Sequence, residues 1–108
     1  MSHKDVYKCV SEIVPCTHLA YPTGKAPDLP WAVFLIDRSD GMYADDKKFA
    51  TVNHWTLELM ERGRDEELET KLEQALTEKF SPCEVVETWL EDEQCIQVRY
   101  SFTEIEHD

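Results

Sequence analysis

The predicted C-terminal strand, residues 94–103, constrains the fold most, because apolar and polar side chains alternate along it. Successive side chains of a strand point to opposite faces, so this pattern predicts a sheet with one face toward a core. The apolar face consists of Ile96, Val98, Tyr100 and Phe102, and the polar face of Gln97, Arg99, Ser101 and Thr103. Such a face must be covered by another layer of secondary structure.

Two segments have the spacing of amphipathic helices and could supply that layer. Asp65 is a predicted N-cap for a helix that runs to about Phe80. Its apolar stripe consists of Leu68, Leu72, Ala75, Leu76 and Phe80. An earlier helix over residues 2–14 is predicted from the spacing of Val6, Cys9, Val10, Ile13 and Val14, with Ser2 as its cap and Pro15 at its end.

Three further strands complete the predicted sheet. Residues 31–36 form an apolar run typical of a strand covered on both faces, and residues 51–62 and 83–90 follow. The proline-rich residues 15–30 and the polar residues 37–48 are interpreted as a loop and as a long connector or arm. The prediction is a single α+β domain over residues 1–108. It has a four-stranded antiparallel or mixed sheet, two main helices on one face, and the order α-β-β-α-β-β.

The sequence does not determine what covers the opposite face of that sheet. Val85, Trp89 and Cys95 are expected on it, and either a partner subunit or the proline-rich loop could cover them. Periodicity alone does not distinguish the two.

Negative charge is concentrated in one part of the chain. The formal net charge is −12, and residues 58–93 contribute −9 of it with thirteen acids and four bases. A surface of this sign repels phosphate, which disfavours nucleic-acid binding and docking on anionic lipid. No apolar run approaches the length needed to span a bilayer, so no membrane contact is expected and the protein is predicted to be cytosolic in the cell that makes it.

The residues that carry chemistry form no recognisable catalytic pattern. The three glycines are too far apart for a phosphate-binding loop. Cys9, Cys16, Cys83 and Cys95 lack zinc-site spacing and are expected to be free thiols. A dyad of Cys16 with His18 or His54 has nothing to position it, and Asp40, Asp45 and Asp46 are better interpreted as a solvated loop than as a cation site. We therefore expect no enzyme activity, no cofactor and no metal.

Several stretches together resemble one family, the tail-terminator or tail-completion proteins of long-tailed bacteriophages and prophages, particularly those of Gram-positive hosts. These stretches are WAVFLI at 31–36, SDGMYADD at 39–46, VNHWTLEL at 52–59, ELETKLEQAL at 67–76, WLEDE at 89–93 and IQVRYSF at 96–102. The resemblance covers nearly all of residues 5–105, and its most specific element is Tyr43-Ala44-Asp45 before the second strand. It implies an α+β fold without catalysis or cofactor.

The resemblance also implies a role and partners. The expected role is a hexameric ring at the head-proximal end of the tail tube, which ends tube polymerisation and joins the tail to the head connector. The expected partners are further copies of the chain, the tail-tube protein and the connector protein. The expected location is the head–tail junction of the virion, and the host bacterial cytoplasm during assembly.

Two sets of residues are the candidate functional residues. Subunit or partner contacts are expected at Ser39, Asp40, Met42, Tyr43, Asp45 and Asp46, because a long ordered connector in a small domain usually serves a function. An acidic lumen that DNA passes without adsorbing is expected from Glu66, Glu67, Glu69, Glu73, Glu84, Glu87 and Glu91.

Three other functions are also compatible with the sequence. A head-completion or other head–tail joining protein belongs to the same structural class. An acidic DNA mimic would be a binding protein, although the nearly balanced charge of residues 1–57 is unfavourable to it. A small thiol-dependent enzyme would need a cysteine of low pKa beside a base.

Overall fold

A computed structural model describes residues 3–107 as one mixed sheet with two helices. The elements are α1 (His3–Ser11), β1 (Cys16–His18), β2 (Trp31–Ala44), β3 (Lys47–Glu61), α2 (Glu66–Lys79), β4 (Glu84–Leu90) and β5 (Cys95–His107). The strand order across the sheet is β1-β2-β3-β5-β4, with β1 parallel to β2 and the other neighbours antiparallel. The predicted α+β class, with two helices, is confirmed. Ser2, the predicted cap of the first helix, lies outside the described residues.

The predicted number of strands and their order are wrong. The described residues contain five strands in the order α-β-β-β-α-β-β, because β1 lies within the segment that was predicted to be a loop. It pairs with residues 32–34 of β2, and the flanking bonds Ala32 N to Pro15 O and Leu19 N to Phe34 O extend that contact. Three residues among prolines are too few to show a period of two, so tertiary pairing determines this strand.

Residues 37–48 form an arm, so of the two interpretations of this segment the connector is wrong and the arm agrees with the structure. Here β2 and β3 continue as one long antiparallel hairpin, paired from Trp31 with Met60 to Ala44 with Lys47. Register irregularities occur between Ile36 and Arg38 and near Tyr43. The segment is polar because it projects beyond the helices, so the burial that produces an apolar alternation is absent there.

One face of the sheet and both helices enclose the core. The paired residues Phe34, Leu57 and Tyr100 lie side by side on β2, β3 and β5 and are almost fully buried. Val6 and Val10 of α1, with Leu72 and Leu76 of α2, pack in the same cluster. Further core residues are Val14, Cys16, Ala32, Trp55, Leu59, Val98 and Phe102. The predicted placement of both helices on one face agrees with this cluster.

The cap of α2 is formed as predicted. The Asp65 carboxylate accepts a hydrogen bond from the Leu68 backbone nitrogen at 3.1 Å, and the helix ends at Lys79 with Phe80 as its C-cap. Neither α1 nor α2, the helices among residues 3–107, is long and apolar enough to cross a bilayer.

The predicted orientation of two β4 side chains, Val85 and Trp89, is wrong. Val85 pairs with Tyr100 and Trp89 pairs with Ile96, so both lie on the helix-covered side of the sheet rather than the opposite side. They are nevertheless exposed at the sheet edge. On the far face, Tyr21 of the proline-rich segment packs edge-to-face against Trp31, with ring centroids 5.2 Å apart.

Candidate assembly surface

The distal part of the β2–β3 hairpin is the most distinctive surface of the molecule. We call residues 38–52 the hairpin arm. The molecule measures 51 Å along its longest axis and 28 and 25 Å along the others. All side chains of residues 38–49 are exposed, whereas Trp55 and Leu57 of the same hairpin are buried under the helices. The arm contains all six residues that were predicted as subunit or partner contacts.

A tight turn at Asp45 and Asp46 forms the tip of the arm. Ala44 pairs with Lys47, and the two aspartates between them have φ of 51° and 63°. Positive φ at both central residues is the geometry of a type I′ hairpin turn, whose twist matches that of the flanking strands. Aspartate tolerates this conformation better than most residues. The paired aspartates are therefore explained by the turn.

Replacing Asp46 with glycine is expected to stabilise the protein by roughly 0.5–1 kcal/mol, because glycine is the preferred second residue of this turn. The measurement is the urea midpoint at constant m-value. Lys47→Gly is the matched control, since Lys47 lies in β3 and glycine weakens a strand. Equal destabilisation by both changes would contradict the turn assignment.

A buried asparagine fixes the base of the arm. Asn53 is fully buried; its side-chain oxygen accepts from Ser39 Oγ at 2.6 Å, and its nitrogen donates to Glu104 at 3.2 Å and to Glu106 at 2.7 Å. Glu104 also accepts from the Trp55 indole nitrogen at 3.2 Å. This network connects β2, β3 and β5 where the arm leaves the core. Ser39 was predicted as a contact residue, and its bond to Asn53 gives it a structural role.

Asp40 lies beside two basic side chains on the arm. Its carboxylate accepts from Arg38 Nε at 3.2 Å and lies 2.8 Å from His54 Nε2. These hydrogen bonds, first that of His54 and then that of Arg38, lower the pKa of Asp40. Among residues 3–107 no group of three or more histidine, cysteine or acidic side chains could hold a metal ion.

Exposed apolar side chains cluster on the arm and the strand end beside it. Met42 and Tyr43 were predicted as contact residues, and Tyr43 is 66% exposed. Phe49 and Ile105 are also exposed and were not predicted. Ile105 pairs with Val52 across β3 and β5, which places it next to the arm. Exposed apolar clusters of this kind mark contact surfaces.

The residues predicted to form an acidic lumen occupy two faces. Arg64 forms ion pairs with Glu66, Glu69 and Glu87, which joins the start of α2 to β4 on the helix side. Glu84 lies on the other side of β4, because Val85 and Glu87 share the helix side. Glu67, Glu73 and Glu91 are exposed, and Glu91 accepts from the Trp89 indole at 2.7 Å. Their arrangement around a lumen stays a prediction.

The cysteines and histidines form no nucleophilic site in the described chain. All four cysteines are free thiols, and burial raises the pKa of each, that of Cys16 to about 11. A thiol of raised pKa is a poor nucleophile at neutral pH. His18 packs against His3, with ring centroids 4.0 Å apart, a contact that the sequence did not predict.

Comparison with known proteins gives a structural similarity without a sequence match. No protein-family model and no curated protein matches the chain. A chain in the virion of a native gene transfer agent particle has a similar structure, with a TM-score of 0.53 and 9% sequence identity. The match covers 99% of this chain and 87% of the other. At this identity the similarity establishes a shared fold.

Proposed function

We propose that this chain is a structural protein of a phage-like virion, and specifically a tail terminator. The observation that carries the proposal is the fold that it shares, over almost its whole length, with a chain of a gene transfer agent virion. The resemblance of the sequence stretches to tail terminators supports the finer assignment. The role is proposed to be non-enzymatic.

The assembled form is proposed to be a hexameric ring at the head-proximal end of the tail tube. The hairpin arm supports assembly, because it exposes Met42, Tyr43 and Phe49 outside the hydrophobic core. The acidity of residues 58–93 suits a ring that DNA traverses without adsorbing. The ring would stop tube growth and present a surface to the connector at the head–tail junction.

Two other roles give different experimental outcomes. A head-completion protein would attach to DNA-filled heads rather than to tails. A DNA mimic should carry acids in rows over one face. Here Glu84 and Glu87 point to opposite sides of β4, and Arg64 neutralises part of the acidic set on the helix side. We therefore favour the structural role.

Deleting the gene from its own phage or prophage is expected to give tails of abnormal length without attached heads. The reason is that a tube without a terminator continues to polymerise and lacks a joint to the connector. The measurement is tail length by negative-stain electron microscopy, with the wild-type gene on a plasmid as the complementation control. Tails of normal length beside heads that leak DNA would instead support head completion.

Removing residues 39–46 from the plasmid copy tests the candidate surface in the same assay. The variant is expected to fail in complementation, because the arm would lose its tip and its exposed Met42 and Tyr43. Its fold is checked by the near-ultraviolet signal of the buried Trp55. The double change Asp45→Asn with Asp46→Gly keeps a type I′ turn and is the matched control. Normal tails with the shortened arm would refute the role of the arm.

A further inference from the structure

At each lateral edge of the sheet, a strand has backbone groups that no further strand pairs with among the described residues. On one side β1 pairs only with residues 32–34 of β2, so residues 35–44 have no outer strand partner among the described residues. On the other side β4 pairs only with β5 and is the last strand. Such edges present backbone donors and acceptors that can pair with another chain.

Exposed apolar side chains are concentrated at the same two edges. Of the nine large apolar side chains exposed among residues 3–107, seven lie in two groups. Four are on or beside the hairpin arm and three are on β4. The first group is Met42 and Tyr43 on β2, Phe49 on β3 and Ile105 on β5, and the second is Val85 and Trp89 on the helix side of β4 with Val86 on its other side. An edge flanked by exposed apolar side chains has both the hydrogen-bonding groups and the apolar surface of a strand-addition site.

The charges of the two edges favour contact between unlike edges. Residues 84–93, which are β4 and the turn after it, contain five acids and no base, and Arg64 neutralises one of them, Glu87. Two β4 edges facing each other would therefore bring the remaining carboxylates of both copies together. Such like-charge juxtaposition suppresses pairing. The arm contains three bases, namely Arg38, Lys47 and Lys48, with three acids. The arm is therefore neutral overall, and Arg38 is bonded to Asp40, so an arm meets the acidic β4 segment with less repulsion than a second β4 edge does and can bring Lys47 and Lys48 near it.

We propose that the hairpin arm of one copy docks on the β4 edge of a second copy and extends the sheet from one subunit into the next. The two surfaces differ and belong to opposite edges of one sheet, so the contact is heterologous: one copy keeps its β4 edge free and the other keeps its hairpin arm free. Repetition of this contact closes into a ring where the rotation allows it, and otherwise forms a filament. The inference rests on the proposed function in requiring self-assembly, and it specifies the two surfaces.

Site-specific photo-crosslinking tests the contact. Tyr43 is replaced by benzoylphenylalanine, and this protein is mixed with an isotopically heavy copy at concentrations up to about 1 mM, with sulfate added to strengthen apolar contacts. Mass spectrometry is expected to find cross-links from position 43 to residues 84–91 of the other isotopic copy. The matched control carries the probe at Tyr7, which is exposed on α1 and belongs to neither the hairpin arm nor β4.

A second variant removes the apolar contact on the other surface. Val86→Lys is expected to weaken self-association at least tenfold in sedimentation, while Tyr7→Lys leaves it unchanged. Val86 is more than half exposed, so the substitution leaves the fold intact. Cross-links from position 43 to other segments, cross-links only within one copy, or none at all would each overturn the inference. If these results accompany normal complementation by Val86→Lys, the inference fails and the proposed function stands. Normal tails after gene deletion would instead refute the function.

Discussion

Replacing Glu61 with glutamine is expected to stabilise the protein by about 3–5 kcal/mol at pH 9 and to have little effect near pH 4. Glu61 is 1% exposed, and its carboxylate oxygens make no well-formed hydrogen bond among the described residues. Burial and then the neighbouring Glu69 raise its pKa to about 8, an effect that the backbone N–H of Asp65 partly offsets. Glutamine has the shape of the protonated acid and carries no charge to bury.

The sign of the pH dependence follows from this raised pKa. Between the unfolded pKa near 4.5 and the folded pKa near 8, the native state holds a proton that the unfolded state has released. The contribution of Glu61 to stability is therefore fully present below about pH 4.5, declines as pH rises, and is lost above about pH 8. A buried carboxylate beside Glu69 would then remain without a compensating partner.

The measurement is the free energy of unfolding in urea between pH 4 and pH 9, taken as the difference between variant and wild type. Taking the difference cancels the contributions of the acids that lie away from Glu61, which both proteins share. Glu66→Gln is the matched control: Glu66 pairs with Arg64 and its side chain is 83% exposed, so a flat difference is expected. A flat difference for Glu61→Gln would show that Glu61 is not buried as a proton-holding acid.

The position of Glu61 was already implied by the sequence pattern. Trp55, Leu57 and Leu59 alternate toward the core, and Glu61 continues the same phase. Alternation extended by one step would therefore have predicted a buried acid at the end of β3. The burial of Glu61 was not predicted, because glutamate is normally interpreted as a surface residue.

The remaining successes and failures of prediction have physical causes. The helix from Asp65 to Phe80 was predicted because its cap and apolar stripe are local signals. The three residues of β1 were missed because only pairing with β2 stabilises them. The arm was interpreted as a connector because its strands have no buried face. Contact residues were nevertheless predicted in this segment, since its length required an explanation even without a correct secondary structure, and their contact role stays a prediction.

The network around Asn53 illustrates a kind of site that sequence reasoning could not find. Its partners Ser39, Glu104 and Glu106 are up to 53 positions away in the chain and meet only after β2, β3 and β5 pair. A buried amide is retained where all of its hydrogen bonds are made. Local patterns carry no information about such a network.

Two tryptophans are expected to separate folding from assembly. Trp55→Ala should cost about 3–5 kcal/mol of stability, because Trp55 is fully buried beside Phe34 and its indole donates to Glu104. Trp89→Ala should cost less than about 1 kcal/mol, since Trp89 is 52% exposed and its indole donates to Glu91, an exposed residue two positions away. Urea unfolding of both variants measures the difference.

Self-association should respond in the opposite order from stability: it should weaken in Trp89→Ala and not in Trp55→Ala. Trp89 lies on the β4 edge to which the hairpin arm is proposed to dock, so Trp89→Ala should weaken self-association at least tenfold in sedimentation while the protein stays folded. Trp55 contacts no exposed surface, so Trp55→Ala should retain the self-association of the wild type wherever it remains folded. Large exposed aromatic side chains with no stabilising role within their own chain are typical anchors of protein contacts. Full self-association of Trp89→Ala would remove Trp89 from the contact and leave its exposure to be explained by another partner.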